Sequence, residues 1–394
     1  MTNQRLYIEK KDTIVNLSID NNNNHYKFNI EQQNQQDSAK DDVITIPSQL
    51  PNYLTSPNQV FIIDSIKSGT GRSSSSSNDI YHTIINPLFK LLDINYQYFK
   101  TISSKSISKF ANQFNPQYAS TIIFISGDTS INEFINGLPT GTTNDNNKIS
   151  IFPIPNGTGN SLALSLNLQD QLSALTTLLT STNPPHPLHL YTIQFPTGSY
   201  LSLHNEKHSE ITHKLNFLVV FSWAFHASLV ADSDTPELRK HGLERFKIAA
   251  ANNLNQEQKY DAECYINSKK IDGPFAYWLV TGSDRFEPTF EISPHSDILE
   301  NGFYLVAFKT GQDIMKIMYQ VYDKGNHINN PDVIYEKLIP GDEIILKTKN
   351  SSSIRKRRFC LDGSIIVLPE QEEHEIKIQI GDYIHNNWQF FIIH

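Results

Sequence analysis

Apolar residues along this chain fall into short blocks whose character changes near the middle. Up to about residue 182, unbroken apolar runs at 60–63, 121–125 and 151–154 alternate with segments of helical spacing at 80–93, 130–137 and 161–180. Runs with no polar alternation suit strands buried on both faces of a parallel sheet. The alternation therefore predicts βα units with right-handed crossovers. Prolines in STNPPHP, 181–187, stop the last helix and mark a domain boundary. Beyond it the pattern is of strands: 188–195, 200–204, 215–225, 275–282, 303–308, 343–348, 364–369 and 375–380, with helices near 236–252 and 311–323. Their spacing predicts a largely antiparallel, sandwich-like β-rich domain. Ahead of both lie a strand pair at 5–30 and a polar linker at 31–42, which has too few apolar residues to fold alone. The pair could pack on the β-rich domain, and the sequence leaves that choice open. The expected division is 1–57, 58–182 and 183–394.

Candidate chemistry lies where the apolar runs end, because ligands of parallel sheets gather at the carboxyl ends of strands. TIIFISGDTSINE, 121–133, places Gly127 and Asp128 in such a turn and Glu133 soon after. Asp128 is a candidate general base beside a phosphate site, or a cap for the helix that follows it. IFPIPNGTGN, 151–160, ends in Gly157, Thr158, Gly159 and Asn160 before a helical stretch, and backbone N–H groups at such a turn can meet an anion. Upstream, Ser65, Ile66, Lys67, Ser68, Gly69, Thr70, Gly71 and Arg72 form a third small-residue turn. The G-x-x-x-x-G-K-[ST] spacing is missing, which argues against a P-loop NTPase. The three turns point to one nucleotide site assembled from several loops.

The order of these motifs resembles the diacylglycerol kinase catalytic-domain family, and within it the sphingosine (sphingoid long-chain base) kinases. Besides the turn at 65–71, Ser126-Gly127-Asp128-Thr129-Ser130 with Glu133 and Gly157-Thr158-Gly159-Asn160, the resemblance includes Arg239-Lys240-His241-Gly242-Leu243-Glu244-Arg245-Phe246 and Asp362-Gly363-Ser364. GNHINNPDVIYEK, 325–337, also matches a family stretch, and the likeness covers roughly 58–394. It implies an α/β nucleotide-binding domain, a β-rich lipid-binding domain and an active site in the cleft between them. It further implies an ATP-dependent lipid kinase with Mg²⁺, in which Asp128 takes the proton of the acceptor hydroxyl. Ser65, Lys67, Ser68, Gly69, Gly71, Thr101, Gly127, Glu133, Gly157, Thr158, Gly159, Asn160, Arg239, Arg245, Asp362 and Gly363 are implied to serve the nucleotide. Ser126, Asp232 and Phe246 are implied to serve the lipid. Metal ligands are not identified.

Departures from the family pattern bear on activity. Ser65 and Ile66 replace Asn-Pro, Thr129 replaces the glycine after the aspartate, and Ser364 replaces the terminal glutamate. If the turn needs positive φ, a β-branched Thr129 changes it or crowds the phosphates. A weak or inactive lipid-binding relative is therefore one reading, beside the active kinase. Acceptor class turns on a carboxylate for the sphingoid ammonium. Counting back from Gly242 makes that residue Asp232, whereas counting forward from Trp223 gives Val230. Diacylglycerol, ceramide or another neutral lipid is the alternative acceptor.

Composition narrows the classes further. Net charge is −8, from 33 basic and 41 acidic residues, which gives no global basic field for nucleic acid. Two cysteines, Cys264 and Cys360, provide no disulfide framework and favour a reducing compartment. No apolar run reaches the roughly 18 residues of a membrane span, and the polar start is unlike a signal peptide. The expectation is a cytoplasmic protein that meets its lipid peripherally at intracellular membranes. The basic tract at 347–358 could attract anionic lipid, carry a nuclear signal or form a solvated hairpin tip. The histidines show no zinc-binding spacing.

Overall fold

In the computed structural model, residues 2–20, 25–31, 43–67, 71, 79–141, 147–204, 206–370 and 373–394 are described, and they form four sheets. Ser68, Gly69 and Thr70 of the first small-residue turn, and most of the low-complexity stretches at 72–78 and 142–146, lie outside the described residues. The expected parallel sheet is present. Gln97–Lys100, Gln59–Asp64, Ser120–Ser126 and Lys148–Pro155 lie side by side, and every neighbouring pair is parallel. Every residue of Ser120–Ser126 is buried. Ile122 and Phe124 face a cluster with Phe134, while Ile123 and Ile125 face one with Leu88 and Leu175. Helices on both faces explain why these strands read as continuous apolar runs.

Two expected helices are each divided. The 161–180 segment forms Ser161–Ser165 and Gln171–Thr180, because Asn167 adopts φ 58° and Asp170 starts a new helix. The Asp170 carboxylate accepts from the Leu172 and Ser173 amides at 2.8 and 2.9 Å, while the Ser173 hydroxyl closes a reciprocal capping box. The 236–252 segment forms Pro236–Arg239 and Glu244–Leu254, with Gly242 at φ 54° between them.

The β-rich part is a sandwich of an eight-stranded and a six-stranded sheet, with antiparallel pairing throughout the described ladders. Phe217, Phe221, Trp223, Trp278, Phe303 and Phe359 fill the space between them. The single strand expected at 215–225 is two strands in different sheets. Leu215–Phe217 belongs to the six-stranded sheet and Val220–Ala224 to the eight-stranded one. Ala224 at φ 60° then turns the chain into the helix Phe225–Ser233. The opposite face of the eight-stranded sheet meets the α/β part through Leu218, Val220, Tyr277, Leu279 and Phe308, which share one cluster with Phe124 and Phe134.

The sequence-based division is corrected at both ends. The last strand, Trp388–Ile392, leaves the β-rich part and pairs in parallel with Lys148–Pro155, with His186–Pro187 alongside it. Its alternating Trp388, Phe390 and Ile392 bury against the α/β cluster, which no single-strand pattern could assign to a domain. The amino-terminal pair is part of a four-stranded sheet, Thr2–Ile8, Thr13–Asp20, His25–Ile30 and Val43–Ile46. Leu6, Ile8, Val15 and Leu17 pack with Ile84, Leu88 and Leu175, so this sheet covers the α/β part rather than the β-rich one. Gln97–Lys100, Lys269–Asp272 and Val333–Leu338, which the apolar pattern did not reveal, are outer strands of their sheets. Edge positions tolerate the charged residues that hid them.

Replacing Asp170 with alanine removes the cap that begins Gln171–Thr180. Asp170→Ala is expected to lower stability by about 1 kcal/mol in urea denaturation.

Candidate active site

A cavity of about 1210 Å³ opens where the parallel strands end and continues between helices of the β-rich part. Ser65, Lys67, Thr101, Gly127, Asp128, Glu133, Gly157, Thr158 and Gly159 line its α/β side. Arg239, Arg245, Phe246, Asp362 and Gly363 line the side contributed by the β-rich part. An apolar slot follows, walled by Phe225, Leu229, Leu254, Phe290, Ile314 and Met318. Helices Phe225–Ser233, Glu244–Leu254 and Ile314–Tyr322 supply most of that wall.

Asp128 opens the helix Asp128–Gly137, directly after the buried strand. Its carboxylate accepts from the Ser161 amide at 2.8 Å and the Leu162 amide at 3.3 Å. It therefore caps a helix one crossover away, Ser161–Ser165, instead of its own. Burial, followed by the Asp362 charge, pushes its carboxyl up to about 7, and the two amides only partly oppose this. Burial also pushes Glu133 up to about 7, and no described side chain or amide bonds its carboxylate. The site thus holds two carboxylates poised near neutrality.

The glycine turns pack backbone against backbone. A Cβ on Gly157 would come within 2.6 Å of Gly127 Cα, and one on Gly127 within 2.9 Å of the Gly159 carbonyl. Only glycine permits that approach. A Cβ on Gly159 would meet nothing within 4 Å. Asn160 braces the turn from inside. Its Oδ1 accepts from the Gly157 amide at 2.8 Å and its Nδ2 donates to the Gly157 carbonyl at 3.0 Å, so it is not part of the cavity wall. Ser126 is likewise buried, its hydroxyl donating to the Gly127 carbonyl, and does not reach the cavity. Gly71, at φ 81°, lies off the cavity wall, and Ser68 and Gly69 are outside the described residues.

Thr129 does not distort its turn. It lies in the first turn of a regular helix, and its hydroxyl donates to the Asp362 carbonyl at 2.8 Å. Gly363, at φ 91°, leaves room for that hydroxyl, since a Cβ there would collide with Thr129 Oγ1. Asp362 is taken up structurally. Its carboxylate accepts from the amides of Leu218, Val219 and Val220 at 2.9, 3.0 and 2.7 Å, and from Asn132 Nδ2 at 2.8 Å. Burial outweighs these bonds and raises its carboxyl to about 6.

Arg239 and Arg245 do converge on the cavity, around a residue the sequence did not single out. Asp234 Oδ1 pairs with Arg239 Nε at 2.7 Å and lies 3.6 Å from Arg245 Nη1. Arg245 lies over the Phe246 ring at 4.9 Å, and its buried Nε has no partner. Burial lowers its pKa. Asp232 turns away: Arg358 bonds one of its oxygens at 2.6 Å and Asn253 the other at 2.9 Å. Of the two candidate positions, Val230, near which counting from Trp223 falls, lines the wall and Asp232 does not. An acidic letter two residues off in a helix points to a different face, and the sequence alone gave no anchor to choose between the registers. Arg358 and its neighbours also account for the basic tract. Arg355 bonds Asn253 and Arg357 bonds the Leu368 carbonyl, so these arginines are tied to the fold, while Lys349, Asn350, Ser352 and Ser353 are exposed. His226 and Tyr277, also cavity residues, escaped the sequence reading because they carry no motif.

Residues 60–188 match the family model of the diacylglycerol kinase catalytic domain. The chain is 33% identical over 154 residues to sphingosine kinase B of Dictyostelium discoideum, covering 39% of this chain and 19% of that protein. It is 30% identical over 143 residues to sphingoid long-chain bases kinase 1 of Arabidopsis thaliana, covering 34% of this chain and 18% of that protein. The chain thus matches about a fifth of the length of these curated relatives. In fold it resembles the crystal structure of a diacylglycerol kinase from Bacillus anthracis, with a TM-score of 0.52, 13% identity, and coverage of 86% of this chain and 98% of that one.

Two stability outcomes follow from the geometry. Gly157→Ala should lose soluble, cooperatively folded protein, while Gly159→Ala should melt within about 1 °C of the parent, since only the first meets backbone. Asp128 should cost stability at neutral pH. A carboxyl raised from 3.8 to about 7 on folding favours the native state while protonated, and that contribution is lost as pH rises through 7. Asp128→Asn is therefore expected to match the parent near pH 4 and to exceed its stability at pH 8, measured by urea titration.

Proposed function

We propose that this chain, in which residues 60–188 match the diacylglycerol kinase catalytic-domain model, is an ATP-dependent lipid kinase that phosphorylates the primary hydroxyl of a sphingoid long-chain base. The observation that carries this reading is the single cavity in which Asp128 and the glycine turns open directly onto an apolar slot. A phosphate site alone would suit many nucleotide enzymes, and an apolar slot alone would suit a carrier. Their continuity would let a lipid hydroxyl and a nucleotide meet at one carboxylate.

In this reading the α/β part binds ATP and the β-rich part, with its helices, holds the lipid. The turns at Gly127 and Gly157–Gly159 receive the phosphates, and Lys67, Arg239 and Arg245 offset their charge. Asp128 accepts the proton of the attacking hydroxyl, a role suited to a carboxyl near neutrality. Among the described residues no three metal-binding side chains converge. Mg²⁺ is commonly held by substrate phosphates with one or two carboxylates. Glu133, whose carboxylate lines the cavity, would be such a carboxylate, and the ion would supply charge neutralisation on the phosphates.

The sphingoid acceptor is supported by the names of both curated relatives. A neutral acceptor such as diacylglycerol or ceramide is the second reading, favoured by one observation: Val230 faces the cavity while Asp232 is tied to Arg358. No described helix is long and apolar enough to cross a membrane. We propose peripheral contact with the membrane that presents the lipid.

Transfer of labelled phosphate from ATP to sphingosine in mixed micelles is the deciding measurement, with diacylglycerol and ceramide as parallel acceptors. Asp128→Asn should lower the rate by about 10²–10⁴ while ATP still binds. Undiminished turnover in that variant would remove Asp128 as the base. The parent rate should fall on acidification with a midpoint near 7, where Asp128 takes up its proton. Asp232→Ala should leave the KM ratio of amine to neutral acceptors unchanged, and a shift in that ratio would restore Asp232 as the amine reader.

A further inference from the structure

Four cavity-facing residues of the helix Phe225–Ser233 are Phe225, His226, Leu229 and Val230, so His226 is the polar member of that wall. An imidazole is an expensive choice for a slot that leucine could line. Its Nδ1 lies 2.7 Å from Ser222 Oγ, and Ser222 is fully buried in the strand beneath. Phe286 and Tyr277 flank the ring at centroid distances of 5.4 and 6.2 Å. The ring is thereby fixed, and its Nε2 has no hydrogen-bond partner among the described residues. A second polar group lies beside it. Tyr277 is 1% exposed, lines the same cavity, and its buried hydroxyl has no partner. An orphaned buried hydroxyl is costly unless something arrives to bond it.

We infer that His226 is a specificity-determining residue of the acceptor pocket, its Nε2 hydrogen-bonding an uncharged oxygen that the lipid carries close to the hydroxyl to be phosphorylated. Tyr277 bonds the same region of the ligand. The inference rests on the lipid-kinase reading above. Burial holds the imidazole down to about 4, so it is neutral under working conditions and offers a directional bond without a charge. A neutral ring suits a hydroxyl or carbonyl oxygen and leaves an ammonium without its counter-charge. Asp128 and Glu133, in the same cavity, lie on the α/β side. Asp234 and Glu287 line the β-rich side, so carboxylates are available to an ammonium on both walls while His226 reads the oxygen.

The test compares sphinganine with its analogue lacking only the second hydroxyl, using equilibrium binding to the full chain in detergent micelles without ATP. The parent should prefer sphinganine about tenfold, the worth of one well-placed bond in a dry site. His226→Leu should reduce that preference to within about twofold, and His226→Gln, which restores an N–H, should recover most of it. Tyr277→Phe should weaken sphinganine binding without lowering the melting temperature, since it deletes only an unpartnered hydroxyl. Equal binding of the two lipids by the parent, a preference unmoved by His226→Leu, or no binding of either lipid would overturn the assignment. A parallel assay with labelled ATP separates the two claims. A preserved binding preference without any phosphate transfer would refute the kinase reading and leave His226 as the reader of the oxygen.

Discussion

One buried carboxylate ties the two halves of this molecule together. Asp362 accepts three successive amides, Leu218 to Val220, at the point where the chain passes from one sheet of the sandwich to the other. A sheet crossing of this kind interrupts the ladder and would leave those donors buried and unbonded. The same carboxylate accepts from Asn132 on the helix that begins with Asp128, and its carbonyl accepts from Thr129. Asn132 and Asn136 also bond the Asn216 carbonyl, and Asn216 returns a bond from its amide to Asn136. A compact polar lattice thus sits inside an otherwise apolar interface and sets where the α/β part stands against the sandwich. Asn216 Nδ2 is the one buried side-chain donor of this lattice without a partner among the described residues, and the bonds that are made restrict its geometry.

That lattice also shapes the chemistry. Asp362 contributes to raising the Asp128 carboxyl, so the residue that fixes the domains helps to tune the candidate base. Asp128 in turn spends its own hydrogen-bonding capacity on the amides of Ser161 and Leu162, which aligns the Gly157–Gly159 turn with the helix that follows. The cap and the base are therefore two consequences of one placement. The glycines supply the remaining constraint, because Gly127 and Gly157 must touch for the two turns to present their backbones together.

The residues at which this chain departs from the pattern it resembles have different structural weights. Thr129 is accommodated in a helix, where its hydroxyl gains a partner, so the concern over positive φ does not arise. The position facing the slot at Val230 alters the wall directly. Asp232, by contrast, belongs with Arg358 and Asn253 in the bracing of the sandwich. Charge at a given letter says little about recognition until the face it occupies is known.

Much of the candidate site was legible in the amino-acid sequence because its parts are local. A buried strand followed by glycine and aspartate specifies both an all-apolar run and a turn at its end, and Asp128, Gly127, Gly157 and Gly159 could be placed from that pattern. The parallel core was readable for the same reason, since full burial leaves an unbroken apolar signature at 121–125 and 151–154. Pairings between distant segments were beyond its reach. The return of Trp388–Ile392 to the α/β sheet, the division of 215–225 between two sheets, and the choice among Val230, Asp232 and Asp234 all depend on what each side chain meets across the fold. Local patterning fixes which residues are buried and where the chain turns. Only tertiary contacts decide which buried carboxylate braces the structure and which faces the ligand.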